Sequence, residues 1–424
     1  MSLMSAMSTA TSGIDADNTE LAVISNNIAN ASTVGYKDQR TDFETALSQS
    51  MVGAPGQVGL GTTASVQTLV TEGSLTTTGN PTDLALQGNG YFMVNGSYEG
   101  QTGTFYTRDG EFSVNSSGYL VNQAGLEVQG FTANAAGQLS GVTGNLLVGN
   151  AQVQPVATTT VTMQGNLQSS AAYMTFNPAS PTTTSNFSTD VTVYDSLGAA
   201  HAVQIFFTNT PTGWQWNAMT DGGGLTGGAA GTLTSIANGT LTFNAQGALT
   251  AETQASNFNP LGATNPQALA FNFGTATGAG GTGLDGVTQF ASSSATTAIT
   301  QDGYAAGDLS SIQVGQNGTI SGVFSNGETR VLGQVAVAGF PAPDQLSSIG
   351  GNLYSATQTA GQPVIGAPGS GGLGSVTSGA LEQSTVDLST ELVNMIEAQH
   401  AFEANSKTIT TADTLLSELI QMKR

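Results

Sequence analysis

The sequence contains no cysteine, which excludes disulfides, thiol catalysis and cysteine-held metals. Positive charge is nearly as scarce: seven Lys and Arg stand against 28 Asp and Glu, a formal net charge of −21. So few cations cannot build the basic face that phosphate backbones require, and an anionic lipid surface repels such a chain. Neither nucleic acid nor a membrane is an expected partner. Lys37, Arg40, Lys407, Lys423 and Arg424 lie near the two ends, leaving Arg108 and Arg330 to serve residues 41–406. No apolar run approaches the roughly 20 residues that cross a bilayer. No cation precedes Lys37, so a cleavable secretory signal, which opens on a basic region, is not expected. Two histidines, His201 and His400, sit in different segments. A histidine metal cluster or a serine–histidine triad is therefore not expected either. The expectation is no catalytic, cofactor or metal site, and no enzyme.

What is present divides the 424 residues into helical ends and a strand-rich middle. Met7, Ile14, Leu21 and Ile28 share one position of a seven-residue repeat, and Leu3, Ala10, Asp17, Ile24 and Ala31 share the intervening one. That is an apolar seam with one polar fault. At the other end Leu388, Met395, Phe402, Ile409 and Leu416 recur every seven residues, with Leu392 and Ile420 on the intervening position. A single stripe of this kind usually packs on its own globular core. Two matching stripes at opposite chain ends point instead to paired terminal helices. Polar faults leave part of each seam uncovered by such a pair, so neighbouring subunits are the expected cover.

Between the helices, period-two patterns alternate with tight turns. Gly88-Asn89-Gly90 between Leu84–Leu86 and Tyr91–Val94, Asp109-Gly110, Ser117-Gly118, Asn317-Gly318 and Asn326-Gly327 all read as hairpin turns, because these pairs supply positive φ. A stretch with its own strands and both tryptophans, Trp214 and Trp216, interrupts the middle. Three G-x-G-x-x-G matches, at Gly222, Gly278 and Gly369, lack the strand-then-helix setting of a dinucleotide site and are expected to be flexible loops. With 56 glycines, such matches arise by chance.

Several strings carry a resemblance. Ser25-Asn26-Asn27-Ile28-Ala29-Asn30 with Thr33 and Gly35-Tyr36-Lys37 is similar to the N-terminal signature of the bacterial flagellar rod and hook axial proteins. Thr78–Gly88, Tyr106–Gly110 with Gly118–Val121, Gly379–Ser384 with Val386–Leu388, and Ala404–Lys407 with Thr410–Asp413 resemble further blocks of that family, in order and at the correct ends. The long middle insert, with Val193–Gly198 and Leu284–Phe290, fits the hook branch better than the shorter rod branch.

The resemblance implies a structural subunit that polymerises helically into a short curved tube, a universal joint passing torque from rod to filament. It implies itself as main partner, with rod, hook-cap and hook–filament junction proteins and the flagellar type III export apparatus. The expected location is the extracellular flagellar hook, reached without a cleaved signal. A rigid distal rod subunit is the nearer alternative, and an extracellular β-rich binding protein the farther one.

The expected fold is α+β and multidomain. Terminal helices 1–31 and 380–424 form a coiled-coil-like inner domain, and 32–71 with 371–379 connect it outward. Residues 72–145 and 295–370 form a β-rich domain into which a second β-domain, 146–294, is nested. The subunit-interface seam is expected at Met7, Ile14, Leu21, Ile24, Ile28, Leu388, Leu392, Met395, Phe402, Ile409 and Leu416. The family motif residues are Asn26, Asn27, Asn30, Thr33, Gly35, Tyr36 and Lys37. Gly53, Gly56, Gly59, Gly369, Gly371 and Gly374 are hinge candidates.

Overall fold

The computed structural model describes residues 3–45 and 62–422. Most of the described elements are strands, bracketed by two helices, α1 (Leu3–Ala29) and α2 (Leu388–Met422). α1 stops at Asn30, whose side-chain amide bonds back to the Asn26 carbonyl at 2.9 Å, and Gly35 then takes φ +69°. α2 opens behind Asp387, whose carboxylate accepts from the backbone N–H groups of Ser389 (2.8 Å) and Thr390 (3.2 Å). This satisfies donors that a helix start leaves free. None of the described helices is long and apolar enough to cross a membrane.

The chain folds into two units. The first runs through Ala151 and takes in Leu309–Val323 and Thr329 onward; the second is Gln152–Asp308 with Phe324–Glu328. In the first unit, Tyr91–Tyr98 and Gln101–Thr107 form a hairpin, Glu127–Ala133 pairs beside it, and Thr329–Val335 pairs beside that. Phe92, Val94, Phe112, Leu120, Val128, Val335 and Val337 fill its core. The second unit holds a five-stranded antiparallel sheet in sequence order from Phe187–Tyr194 to Leu249–Ser256. Trp214 and Trp216 are buried beneath it against Phe207, Phe271 and Phe273.

The turn chemistry holds in part. Gly118, Gly318 and Gly327 adopt φ +88°, +74° and +85°, as Ser-Gly and Asn-Gly turns require. Gly88-Asn89-Gly90 closes no hairpin. Leu84–Gln87 pairs with Ser375–Ser378 from the far end of the chain, and Leu84, Ala85 and Leu86 are all buried. Asp109-Gly110 closes none either. Ser113–Val114 pairs with Leu120–Val121, and a Cβ on Gly110 would lie 1.7 Å from the Leu84 carbonyl oxygen, so this glycine serves close backbone approach. The hairpin joining Tyr91–Tyr98 to Gln101–Thr107 turns instead at Glu99-Gly100 (φ +46° and +80°).

The glycine run at 222–224 is an ordered 3-10 turn rather than a flexible loop. The Asp221 carboxylate accepts from the backbone N–H groups of Gly223 and Gly231. Residues 295–301, read from the sequence with the flanking β-domain, pair with Thr160–Asn166 inside the second unit. Residues 146–148 return to the first unit, where Leu146 and Val148 are buried.

Candidate functional site

The motif strings, far apart in sequence, converge on one buried cluster. Lys37 Nζ lies 2.6 Å from Glu382 Oε1, and Arg108 Nη1 lies 3.4 Å from Glu382 Oε2. The three side chains are 1%, 3% and 0% exposed for Lys37, Arg108 and Glu382. Two buried cations thus share one carboxylate and also donate to backbone oxygens, while Arg108 Nε is buried without a hydrogen-bond partner. Lys37 Nζ donates to the Thr71 carbonyl (2.5 Å), and Arg108 donates to the carbonyls of Leu86 (3.1 Å) and Gly88 (2.6 Å). Gly73 N–H donates to Glu382 Oε1 at 2.8 Å, and the Arg108 guanidinium lies 5.4 Å from the centre of the Tyr91 ring. Burial pulls the Lys37 ammonium below its ordinary range, and Glu382 opposes that shift. A partly desolvated cation is tolerated only beside a fixed anion.

Gly35 is fixed by the same cluster. Its N–H donates to the Glu382 carbonyl at 2.8 Å, and a Cβ would meet the Arg108 backbone at 2.7 Å. Asn27 is fully buried. Its amide nitrogen donates to the Gln39 carbonyl (2.8 Å) and to Glu391 Oε2 (3.2 Å) on α2, while its oxygen accepts from the Tyr36 hydroxyl at 3.0 Å. Burial pushes the Tyr36 phenol up to about 12. Thr33 donates to Asn30 Oδ1 at 3.1 Å, Asn30 bonds to Asn26 Oδ1, and Asn26 itself is exposed. The motif is therefore an interlock that ties the end of α1 and the start of α2 to the first unit's sheet.

α1 and α2 pack against each other; α1 buries the intervening column of its repeat, whereas α2 buries a column one residue before its own intervening one. The buried residues of α1 include Ala10, Gly13, Asp17, Ile24 and Asn27, and those of α2 are Glu391, Ala398 and Ala412. Apart from Ile24, these positions carry small or polar groups. Asn405 donates to Asp17 Oδ2 at 2.9 Å, and a Cβ on Gly13 would come within 2.7 Å of the Asn405 amide. Small residues let the backbones approach, and amides meet the acids there.

Of the sequence-read seam, Ile24 is buried. Met7, Ile14, Leu21, Ile28, Met395, Phe402, Ile409 and Leu416 are half-buried flanks, and Leu388 and Leu392 are each 48% exposed. Beside the latter two, Val393 and Ile396 are 55% exposed. Leu388, Leu392 and Ile396 repeat every four residues, so they line one side of the helix. That stripe is an apolar face that the single chain leaves open.

Of the hinge candidates, Gly53, Gly56 and Gly59 lie outside the described residues. Gly369 and Gly371 take φ +76° and +59°, with open space where a side chain would project. Gly374 is pinned: its N–H donates to the Asn89 carbonyl at 2.7 Å, and a Cβ would lie 2.3 Å from the Gln87 oxygen. Among the described residues no group of three or more acidic or histidine side chains is placed to hold a metal.

Comparison with known proteins places the same segments. Residues 7–37 match the family described as flagella basal body rod protein, and 85–169 match the flagellar hook protein FlgE/F/G D1 domain. Residues 162–304 match the flagellar basal body protein FlaE D2 domain, and 377–422 the flagellar basal body rod FlgEFG protein C-terminal family. The chain is 35% identical to the flagellar hook protein FlgE of Escherichia coli K12, over 99% of its own length and 100% of that protein. It is 34% identical to the protein of that name from Borreliella burgdorferi B31, over 99% and 100%. To that of Salmonella typhimurium LT2 it is 34% identical, over 98% and 99%.

Proposed function

The chain belongs to the flagellar hook protein family, and we propose that its open α2 stripe is the surface on which copies join into a curved tube. It is a structural subunit of the bacterial flagellar hook, a homopolymer that meets the rod proteins. The observation that carries the proposal is the mismatch between the two faces of the helix pair. The intrachain face uses alanine, glycine and bonded amides, whereas Leu388, Leu392, Val393 and Ile396 stand unpaired. Fully burying one such side chain contributes about 1.5–3 kcal/mol, so covering four half-exposed ones supplies a useful part of a subunit contact. The half-buried flanks, Met7, Ile14, Leu21, Ile28, Met395, Phe402, Ile409 and Leu416, widen the same surface.

In this reading the paired helices form the inner, coiled-coil-like layer of the tube, and the β-rich domains form its outer layers. The tube acts as a universal joint: each strand of subunits shortens and lengthens once per turn, so the layers need a compliant connection. Gly369 and Gly371, with positive φ and room around them, suit that role. By family resemblance, the proposed further partners are the hook cap, the hook–filament junction proteins and the type III export apparatus, and the proposed location of the assembled chain is outside the cell. Electron microscopy of the polymerised chain tests this function. Curved tubes are expected, and Gly369→Ala/Gly371→Ala tubes straighter or stiffer than the parent. Straight tubes from the unaltered chain would favour the rod alternative, and unchanged curvature in the variant would remove these glycines from the joint.

A further inference from the structure

Below the interlock, α1, α2 and the strand Gln39–Thr45 line a partly open cavity of about 160 Å³. Its lining includes the carboxylates of Glu20, Asp38 and Glu391, with Thr41, Thr390 and Asn394. One oxygen of Asp38, Oδ1, is buried without a hydrogen-bond partner, and so is the Thr41 hydroxyl oxygen. Glu391 is itself buried and engaged with Asn27 and Asn394. A buried anionic oxygen with no protein donor is costly, whereas a protonated carboxyl becomes a donor. Other acids add to the field: Asp17 on α1 and Glu397 on α2 both act on Glu20. On the wall formed by the strand, Arg40 is the one cation, and it points to solvent, bonded to Asp42 at 3.0 Å. Tyr36, the remaining titratable neighbour, faces Asp38 and Glu391 as a neutral phenol.

We propose that packing α1 and α2 over this strand takes up protons at Glu20 and Asp38, so that the helix pair of the hook subunit tightens in acid and loosens in alkali. Burial first, and then neighbouring acids, raise both carboxyls above their ordinary range. The sign follows. The packed state holds protons that the unpacked chain has lost at the same pH, so packing is fully favoured below the ordinary carboxylate range. That advantage is lost as pH rises through the raised range. No ligand is required, since the neighbouring carboxylates themselves set the proton affinity.

The inference rests on the assembly reading above, because ordered helix pairs are what polymerise. The test is the critical concentration of the full chain for polymerisation, measured by sedimentation from about pH 4, in the ordinary carboxylate range, to about pH 8. Uptake of one proton changes an equilibrium constant about tenfold per pH unit, and partial uptake less. The unaltered chain should therefore need on the order of tenfold more protein at the alkaline end. Glu20→Gln/Asp38→Asn keeps side-chain shape and should flatten that dependence. Asp190→Asn/Glu328→Gln, which removes the same charge from exposed positions of the second unit, should leave it. Should the first double variant fail to assemble, Asp38→Asn alone reads the same slope. Failure of the unaltered chain to polymerise at every pH contradicts the assembly reading. Polymerisation with a pH dependence that the Glu20 and Asp38 changes leave in place overturns the proton uptake alone.

Discussion

Replacing Glu382 with alanine is expected to destabilise the first unit by about 3–5 kcal/mol, the range measured when one partner of a buried ion pair is removed. Lys37 and Arg108 would be left with no carboxylate between them, and Gly73 N–H would lose its acceptor. Both tryptophans lie in the second unit, so their fluorescence follows that unit while far-ultraviolet circular dichroism in urea follows the whole chain. The variant should show an early transition that the tryptophans do not report. A loss below about 1 kcal/mol, the scale of an exposed pair, would mean that the cluster is not the interlock its geometry describes. The consequence for assembly is direct. Glu382 lies six residues before α2 and Lys37 eight residues after α1, so loosening the cluster frees both helices at their roots.

The second large effect falls on assembly and leaves the single chain intact. Leu392→Asp/Ile396→Asp changes two side chains that are 48% and 55% exposed, and exposed substitutions of this kind cost within about 0.5 kcal/mol of fold stability. In a subunit contact the same change removes two apolar anchors and buries two unpaired charges. A combined loss of about 3–6 kcal/mol corresponds to a factor of more than about 100 in affinity. The critical concentration for polymerisation should rise accordingly, with the melting curve of the dilute chain unchanged. Normal tubes from this variant would remove the stripe from the interface.

Both predictions depend on features with very different visibility in the sequence. The helices at the two ends were legible, because seven-residue periodicity is a local signal that survives without knowledge of the fold. The column that packs inside the chain was legible on α1, where Ala10, Asp17 and Ile24 share a repeat position, and not on α2. Periodicity ranks residues by hydrophobicity, and here the close contact uses Ala10, Gly13, Asp17, Ala398 and Asn405, while the more apolar Leu388 and Leu392 remain outside. The Asn317-Gly318 turn was legible because its geometry is written in two adjacent residues. Asp109-Gly110 carries the same letters but meets Leu84, a partner that no local rule can name. Glu99-Gly100, which does close a hairpin, lacks the usual first residue. The Lys37–Glu382–Arg108 cluster is the extreme case, since its members lie 345 and 274 positions apart. One signal could have found it: in a chain with seven cations, Lys37 and Arg108 fall inside motif strings in or next to the strand-rich middle and ask for a buried anion.

The central claim is that the Leu388–Ile396 face of α2 is covered by other copies of this chain. Hydroxyl-radical footprinting of the dilute chain and of the assembled polymer measures that cover at the side chains concerned. The account predicts that Leu388, Leu392 and Ile396 label readily in the dilute chain and are protected in the polymer. Equal labelling in both states would contradict it.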